Sequence, residues 1–164
     1  MNNKEMIPKE RAVQDVRIVA ERLAMLYYHF VNNLIEEFGE EKTEEIVKKV
    51  IYQYGLHCGT NVREKVLSLN KETTLENYAL GQDLPSVGWE KRELDTQNPE
   101  AREITYCPFA DTWKKLNFEK WGRLYCYVDQ AKYEGYNSSF KCYHDKNTLD
   151  GEDSCIIRVE IEED

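Results

Sequence analysis

The segment from Tyr106 to Asp150 has an unusually high density of side chains that can do chemistry. It holds Cys107, Cys126 and Cys142, three of the five cysteines, together with His144 and several carboxylates. Thiolate, imidazole and carboxylate are the groups whose charge a protein can tune near neutral pH. No comparable cluster precedes them in the sequence. We therefore expect any reactive site to lie in the C-terminal half of the chain.

Cys107 lies between a predicted strand and a predicted short helix, and Pro108 ends the strand because proline cannot donate to a β-ladder. A helix N-terminus beside the thiol would lower its pKa and make it more nucleophilic. A free cysteine can equally be a small buried hydrophobe. Asp111, four residues on, either caps the helix or serves the site by orienting a base or binding a cation. Both residues are candidate catalytic groups.

A second group of candidates follows on the next predicted helix. Cys126 and Asp129 are three residues apart and Tyr133 lies four further on, so one side of the helix carries all three. Such a stripe suits a pocket better than a core, because a buried carboxylate without a partner costs several kcal/mol. His144 lies on a predicted strand and is the histidine nearest these cysteines in sequence. It is the default general base or ligand.

Metal binding is the third possibility for these side chains. Its ligands would come from the four cysteines of the C-terminal half and the histidine among them: Cys107, Cys126, Cys142, His144 and Cys155. No two of them have the paired spacing of known zinc sites, and no C-x-x-C motif is present. The sequence therefore predicts neither a metal nor another cofactor.

Two long amphipathic helices are predicted for the N-terminal part. Apolar residues recur every three or four positions from Val16 to Phe38, and the first helix is expected to end at Gly39 in a left-handed cap. Thr43 is the predicted N-cap of a second helix that runs to Leu69. Within it Gly55 and Gly59 lie on one side, where a small-residue patch indicates a close neighbour. That neighbour is a helix backbone or, less commonly, a ligand.

The pattern changes to a period of two near residue 87. After a linker with a short helix near Leu75 to Leu80, the sequence predicts strands, further short helices at 111–116 and 128–133, and a stop at Gly135. The predicted strands are 87–94, 102–106, 140–144 and 155–161, with the turn 95–99 between the first two. Helices followed by strands indicate an α+β fold, with two long N-terminal helices packed on a C-terminal antiparallel sheet with short connecting helices. The 164 residues suit a single domain, with a helical part at 1–70 and a sheet-containing part at 87–162.

Composition limits the classes of partner. The 31 acidic and 22 basic residues give a formal net charge of −9, which argues against a nucleic-acid partner. No apolar run approaches the roughly 18 residues of a membrane span, and the N-terminus lacks the apolar core of a signal peptide. We expect a cytoplasmic protein with five free thiols. Leu26, Tyr27, Tyr28 and Phe30 give the first helix more apolar surface than one sheet face needs, which favours a homodimer.

Three stretches carry a family resemblance: Tyr106 to Trp113, Leu124 to Asn137, and Cys142 to Cys155. Together they resemble the L-2-amino-thiazoline-4-carboxylic acid hydrolases, clearly over residues 87–160 and more loosely through the helix with Gly55, Gly59 and Arg63. The pair Cys142 and Cys155 also faintly resembles the end of the 4-vinyl-reductase-type domain, which senses small molecules. The two hypotheses are therefore a hydrolase and a non-catalytic small-molecule-binding domain.

The first resemblance implies hydrolytic opening of a small cyclic C–N bond, with a carbamoyl-cysteine as product. Such a reaction needs a nucleophile or activated water, an acid for the leaving atom and a cation for the substrate carboxylate. Asp111 or Asp129 can face the amidine-like nitrogens, and Arg63 can take the carboxylate. The resemblance leaves open whether Cys107 attacks or His144 activates water. We expect a pocket beneath the second helix, near the two glycines, with Arg63 at its edge.

Overall fold

A computed structural model describes residues 6–82, 84–92, 94 and 101–162. The longest element is helix α1, Lys9–Ser68, which is interrupted at Gly39. Gly39 has φ +76° and ψ 166°, a backbone conformation that side chains with a Cβ rarely adopt, so the glycine permits the break. We call the part before Gly39 the N-terminal arm and the part after it the C-terminal arm. The predicted two long helices are these two arms.

The two arms of α1 fold back toward one another. Leu23 and Tyr54 line the same cavity, although they are 31 residues apart in the helix. In a straight helix, 31 residues at 1.5 Å each would separate them by about 46 Å. The break at Gly39 therefore turns the second arm back along the first, and the short helices that follow in the chain pack against α1.

The start of the second arm differs from the prediction in one respect. Helical conformation resumes directly after Gly39, so Thr43 lies inside the helix and is not its N-cap. Its side chain is fully buried, and its Oγ1 has no hydrogen-bond partner. The conformation at Gly39 also differs from a left-handed cap, because ψ is extended rather than helical.

Four short helices and four strands follow. The helices are α2 (Leu75–Gly81), α3 (Pro108–Lys115), α4 (Glu119–Tyr125) and α5 (Tyr127–Tyr136). The strands are β1 (Glu90–Arg92), β2 (Arg102–Tyr106), β3 (Phe140–Lys146) and β4 (Cys155–Ile161). Helix α4 was not predicted from the sequence, and the predicted turn 95–99 lies outside the described residues. The strands β2 and β4 have the predicted bounds.

The four strands form one antiparallel sheet in the order β1-β2-β4-β3. This sheet and the long N-terminal helices confirm the predicted α+β fold class. Glu103 on β2 is buried and accepts two hydrogen bonds from Arg92 of β1, at 2.6 and 2.8 Å, and one from Ser154 at 2.8 Å. Its charge is therefore compensated as buried carboxylates require. No helix of the described residues combines the length and apolar character needed to cross a membrane.

Helix α5 is packed unusually closely against the C-terminal arm. A Cβ added at Gly55 would lie 2.5 Å from the Cβ of Ala131, and one added at Gly59 would lie 2.8 Å from the backbone nitrogen of Tyr136. From the other side, Gly135 of α5 packs against the carbonyl of Leu56. Helix α5 continues to Tyr136, so Gly135 does not end the helix as predicted. The glycine patch is thus a helix-packing surface. It leaves no room for a ligand beside it.

Two buried clusters stabilise this arrangement. The larger one joins both arms of α1 to α3 and α4 through Trp113, Trp121 and Phe118. The indole N–H of Trp113 donates to the carbonyl oxygen of Ala24 at 3.1 Å, which ties α3 to the N-terminal arm. The second cluster joins the C-terminal arm, α2, α5 and the sheet. On the outer surface, Leu26 and Phe30 are 53% and 64% exposed, and the homodimer stays a prediction.

We predict that Gly59→Ala lowers the free energy of unfolding by about 1–3 kcal/mol, because the new methyl group forces α5 away from α1. Urea denaturation of the purified protein measures this change. Gln53→Ala, at an exposed position of the same arm, is the matched control and should be nearly neutral. Equal stability of the Gly59 variant and the wild type would contradict the close packing.

Candidate functional site

One cavity of about 300 Å³ lies where α1, α5 and the sheet meet. Four of the predicted site residues line it: Cys107, Cys126, Asp129 and His144. Both arms of α1 contribute to its wall, through Leu23 on one side and Tyr54 and Cys58 on the other. Its volume is at the lower end of the range of small-molecule sites. The three sequence segments that carry the cysteines therefore converge on one cavity.

Asp129 and His144 form a pair in the wall of this cavity. Nε2 of His144 lies 3.2 Å from Oδ2 of Asp129, and the His144 side chain is only 7% exposed. An ionised carboxylate can only accept hydrogen bonds, so a neutral imidazole that pairs with one through Nε2 has its proton on Nε2 and its lone pair on Nδ1. The strand β3 fixes the histidine and α5 fixes the aspartate. A carboxylate that orients an imidazole in this way is the usual arrangement around a general base.

Cys107 is the N-cap residue of α3, as its position before Pro108 predicts. Its thiol accepts hydrogen bonds from the backbone N–H groups of Phe109 and Ala110 and from the side chain of Trp89. These donors favour the thiolate, but burial outweighs them and raises the pKa of Cys107. No base of the described chain is among these hydrogen-bond partners. Cys107 is therefore a protonated thiol at neutral pH.

Cys126 lies at the junction between α4 and α5. Burial raises its pKa strongly, and the carboxylate of Asp129 raises it further. A hydrogen bond from the side chain of Asn147 lowers the pKa of Cys126, but by less than burial raises it. Cys155, another thiol of the cavity, accepts a hydrogen bond from the backbone N–H of Thr148 at 3.3 Å. All five cysteines of the chain are free.

Tyr125 connects the aromatic and polar parts of the cavity. Its ring lies 5.4 Å from those of Phe109 and Trp113, whereas its hydroxyl is hydrogen bonded to Tyr54. Burial raises its pKa, with a smaller contribution from the Asp129 carboxylate. The phenol is neutral at any physiological pH and can donate or accept a hydrogen bond beside Asp129.

The remaining predicted site residues lie elsewhere. Asp111 accepts a hydrogen bond from Lys115 at 2.8 Å and faces a separate surface groove beside the N-terminal arm. Tyr133 is stacked on Tyr78 in the second buried cluster, with ring centroids 4.5 Å apart. Arg63 is exposed on the C-terminal arm and does not line the cavity. The glycines Gly55 and Gly59 contact α5, as described above, rather than the cavity.

Lys132 is a cavity residue that the sequence did not single out. It follows Asp129 by three positions on α5, so both lie on one side of the helix, whereas Tyr133 is rotated from Lys132 by about 100°. A helical projection anchored on Asp129 could have found it. Lys132 lines the same cavity as the Asp129–His144 pair. Within the described ranges, no group of three His, Cys, Asp or Glu side chains is arranged to hold a metal ion.

The fold belongs to a known architectural class. It is similar to the crystal structure of a trafficking protein particle complex subunit 3 from Naegleria fowleri covalently bound to palmitic acid. The TM-score is 0.52 at 16% sequence identity, with 89% of this chain and 96% of that chain covered. At this identity the likeness concerns the fold alone. No curated protein matches the chain.

The family is defined by sequence. The profile of the family described as L-2-amino-thiazoline-4-carboxylic acid hydrolase matches residues 18–159, which is most of the chain. The protein belongs to this family, as the resemblance of the cysteine-containing segments predicted. The match spans every residue that lines the cavity.

We predict that the protein loses stability at alkaline pH because of its buried thiols. Burial raises the pKa of Cys107, Cys126 and Cys142 above that of a free thiol, about 8.5. The folded state keeps these protons where the unfolded chain releases them. Stability is therefore fully present below about pH 8.5 and falls as the pH rises above it. Urea denaturation at pH 7, 8.5 and 10 measures how steeply the free energy of unfolding falls with pH, which we call the alkaline slope.

Cys142→Ala should reduce this alkaline slope, even though the lost side chain lowers stability at every pH. Asn61→Ala, at an exposed position, should leave the slope unchanged. A wild-type stability that is constant from pH 7 to pH 10 would contradict the buried, protonated state of the thiols.

Proposed function

We propose that the protein hydrolyses a small cyclic amidine-type compound of the 2-aminothiazoline class by opening a ring C–N bond. Its substrate would be L-2-amino-thiazoline-4-carboxylic acid or a close relative, and its product a carbamoyl-cysteine. The observation that carries the proposal is the Asp129–His144 pair in the wall of the cavity. Membership of the hydrolase family supports the same reaction. Five free thiols are consistent with the reducing cytoplasm as its compartment.

In this mechanism His144 activates water. Nδ1 of His144 takes a proton from a water molecule as the water oxygen bonds to the ring carbon between nitrogen and sulfur. Asp129 stabilises the resulting imidazolium through its contact with Nε2. The ring C–N bond then breaks with its electron pair on nitrogen, which receives the proton from His144, and the added hydroxyl group gives its proton to the freed amine as it becomes the carbonyl oxygen. One water molecule is consumed, and the imidazole returns to its neutral form.

The other cavity groups bind the substrate. The carboxylate of Asp129, 38% exposed, can also accept hydrogen bonds from the amidine nitrogens, and Lys132 can take the substrate carboxylate. The high pKa of Cys107 and the absence of a base among its partners argue against it as the attacking group. The N–H donors around its thiol instead hold that side chain in place at the start of α3.

The variants His144→Asn and Cys107→Ser distinguish the two mechanisms. We expect His144→Asn to lower kcat/KM for the thiazoline by about 10²- to 10⁴-fold, and Asp129→Asn to lower it in the same direction. Cys107→Ser should stay within about tenfold of wild type. His57→Asn and Asp111→Asn, both outside the cavity, are matched controls. If the Cys107 variant is inactive and the His144 variant is fully active, Cys107 is the attacking group and the water-activating mechanism is wrong.

The product identifies the bond that opens. Cleavage of the ring C–N bond leaves a free amine with the carbamoyl group on sulfur, so an amine reagent should react with the fresh product and a thiol reagent should not. His144 favours this outcome, because nitrogen is far more basic than sulfur and accepts the proton more readily. Early appearance of a free thiol would instead mean that the C–S bond opens, and would contradict the proposed bond.

A second candidate function is non-catalytic binding of a small molecule, as in a sensor domain. The mainly aromatic and aliphatic lining of the cavity favours it, and the solved structure with the same fold carries a palmitic acid covalently. Tight binding of a small ligand, without turnover of any cyclic amidine or thiazoline, would favour this second function over hydrolysis.

A further inference from the structure

The cavity is larger than the substrate named by the family requires. Its 300 Å³ correspond to about ten water molecules at about 30 Å³ each. L-2-amino-thiazoline-4-carboxylic acid has nine bonded non-hydrogen atoms, which pack far more tightly than the same number of separate water molecules. A bound molecule of this acid would therefore leave a substantial part of the cavity unfilled.

The unfilled part has a distinct chemical character. Trp89, Phe109 and Trp113 form one side of it, with ring centroids 5.6 Å apart for Trp89 and Phe109 and 5.7 Å for Phe109 and Trp113. Ala110 and Ile104 complete this apolar region. The charged groups Asp129, Lys132 and His144 come from different elements, α5 and β3. The cavity is thus amphipathic, because α3 and Trp89 supply its aromatic groups and α5 and β3 supply its charged ones.

We infer that the natural substrate carries an apolar substituent, aliphatic or aryl, on its cyclic amidine or thiazoline head. This inference rests on the proposed function, since it places the head at the Asp129–His144 pair. The substituent fills the apolar region between Trp89, Phe109 and Ala110. Burying it removes apolar surface from water, which is the largest favourable contribution available to a site with so few polar groups. The protein then distinguishes substrates with the same head by the length of their apolar substituent.

Binding of a homologous series tests the inference without requiring turnover. The probes are 2-aminothiazoline-4-carboxylates whose exocyclic nitrogen carries methyl through hexyl groups. Trp89 and Trp113 line the cavity, so intrinsic tryptophan fluorescence reports occupancy. We expect Kd to fall about fourfold for each added methylene until the apolar region is filled, and then to stop falling. The 1-alkanols of equal length measure the contribution of the apolar part without the head.

Two variants should shift the length at which affinity stops improving, in opposite directions. Ala110→Leu fills part of the apolar region and should shorten it, whereas Ile104→Ala enlarges the region and should lengthen it. Both should leave the Kd of the unsubstituted acid within about threefold of wild type. Ala79→Leu, the same substitution at an exposed position of α2, is the matched control and should change nothing. Because the two variants act oppositely, a general loss of structure cannot imitate the result.

The outcomes separate this inference from the proposed hydrolysis. Hydrolysis of the unsubstituted acid, with no gain in affinity along the series, overturns the inference and keeps the proposed function. Affinity that rises along the series without hydrolysis of any member overturns the proposed function and keeps the apolar-substituent site. Equal Kd values for methyl and hexyl compounds in wild type, Ala110→Leu and Ile104→Ala overturn the inference directly.

Discussion

The close contact between helix α5 and the C-terminal arm of α1 positions much of the candidate site. Gly55 and Gly59 on one helix and Gly135 on the other let the two backbones approach where any side chain would collide. Asp129 and Lys132 are fixed on the helix that this contact holds. The break at Gly39 matters for the same reason, because it brings the N-terminal arm back to close the cavity from the other side.

The cavity built in this way is lined mainly by aromatic and aliphatic side chains, and this environment sets the chemistry. Burial is the first cause of the raised pKa of Cys107 and of Cys126, so both thiols remain protonated and act as apolar surface. The same low-polarity surroundings therefore disfavour a thiolate nucleophile, whereas the 3.2 Å contact between Asp129 and His144 is the polar interaction that the proposed water-activating mechanism uses.

Much of the fold was predictable from periodicity. The change from a period near 3.6 to a period of two separates the long helices from the sheet, and β2 and β4 have their predicted bounds. Helix α4 was not predicted, because Trp121 and Leu124 are too few to set a period in seven residues. Thr43 was misassigned as a cap, since a buried threonine inside a helix has the same local sequence as a threonine that begins one.

The site was only partly predictable, and the reason is geometric. Cys107, Cys126, Asp129 and His144 were found because their side-chain types are rare together, and they do line one cavity. Tyr133 was chosen by helical spacing and Arg63 by its place on the glycine-containing helix of the family resemblance. Neither criterion fixes the direction in which a helix faces its neighbours. Only tertiary packing turns Lys132 toward the cavity and Tyr133 toward Tyr78. Asp129 and Lys132 lie three residues apart on one rigid helix, so the packing of α5 against the C-terminal arm sets where both side chains meet the cavity.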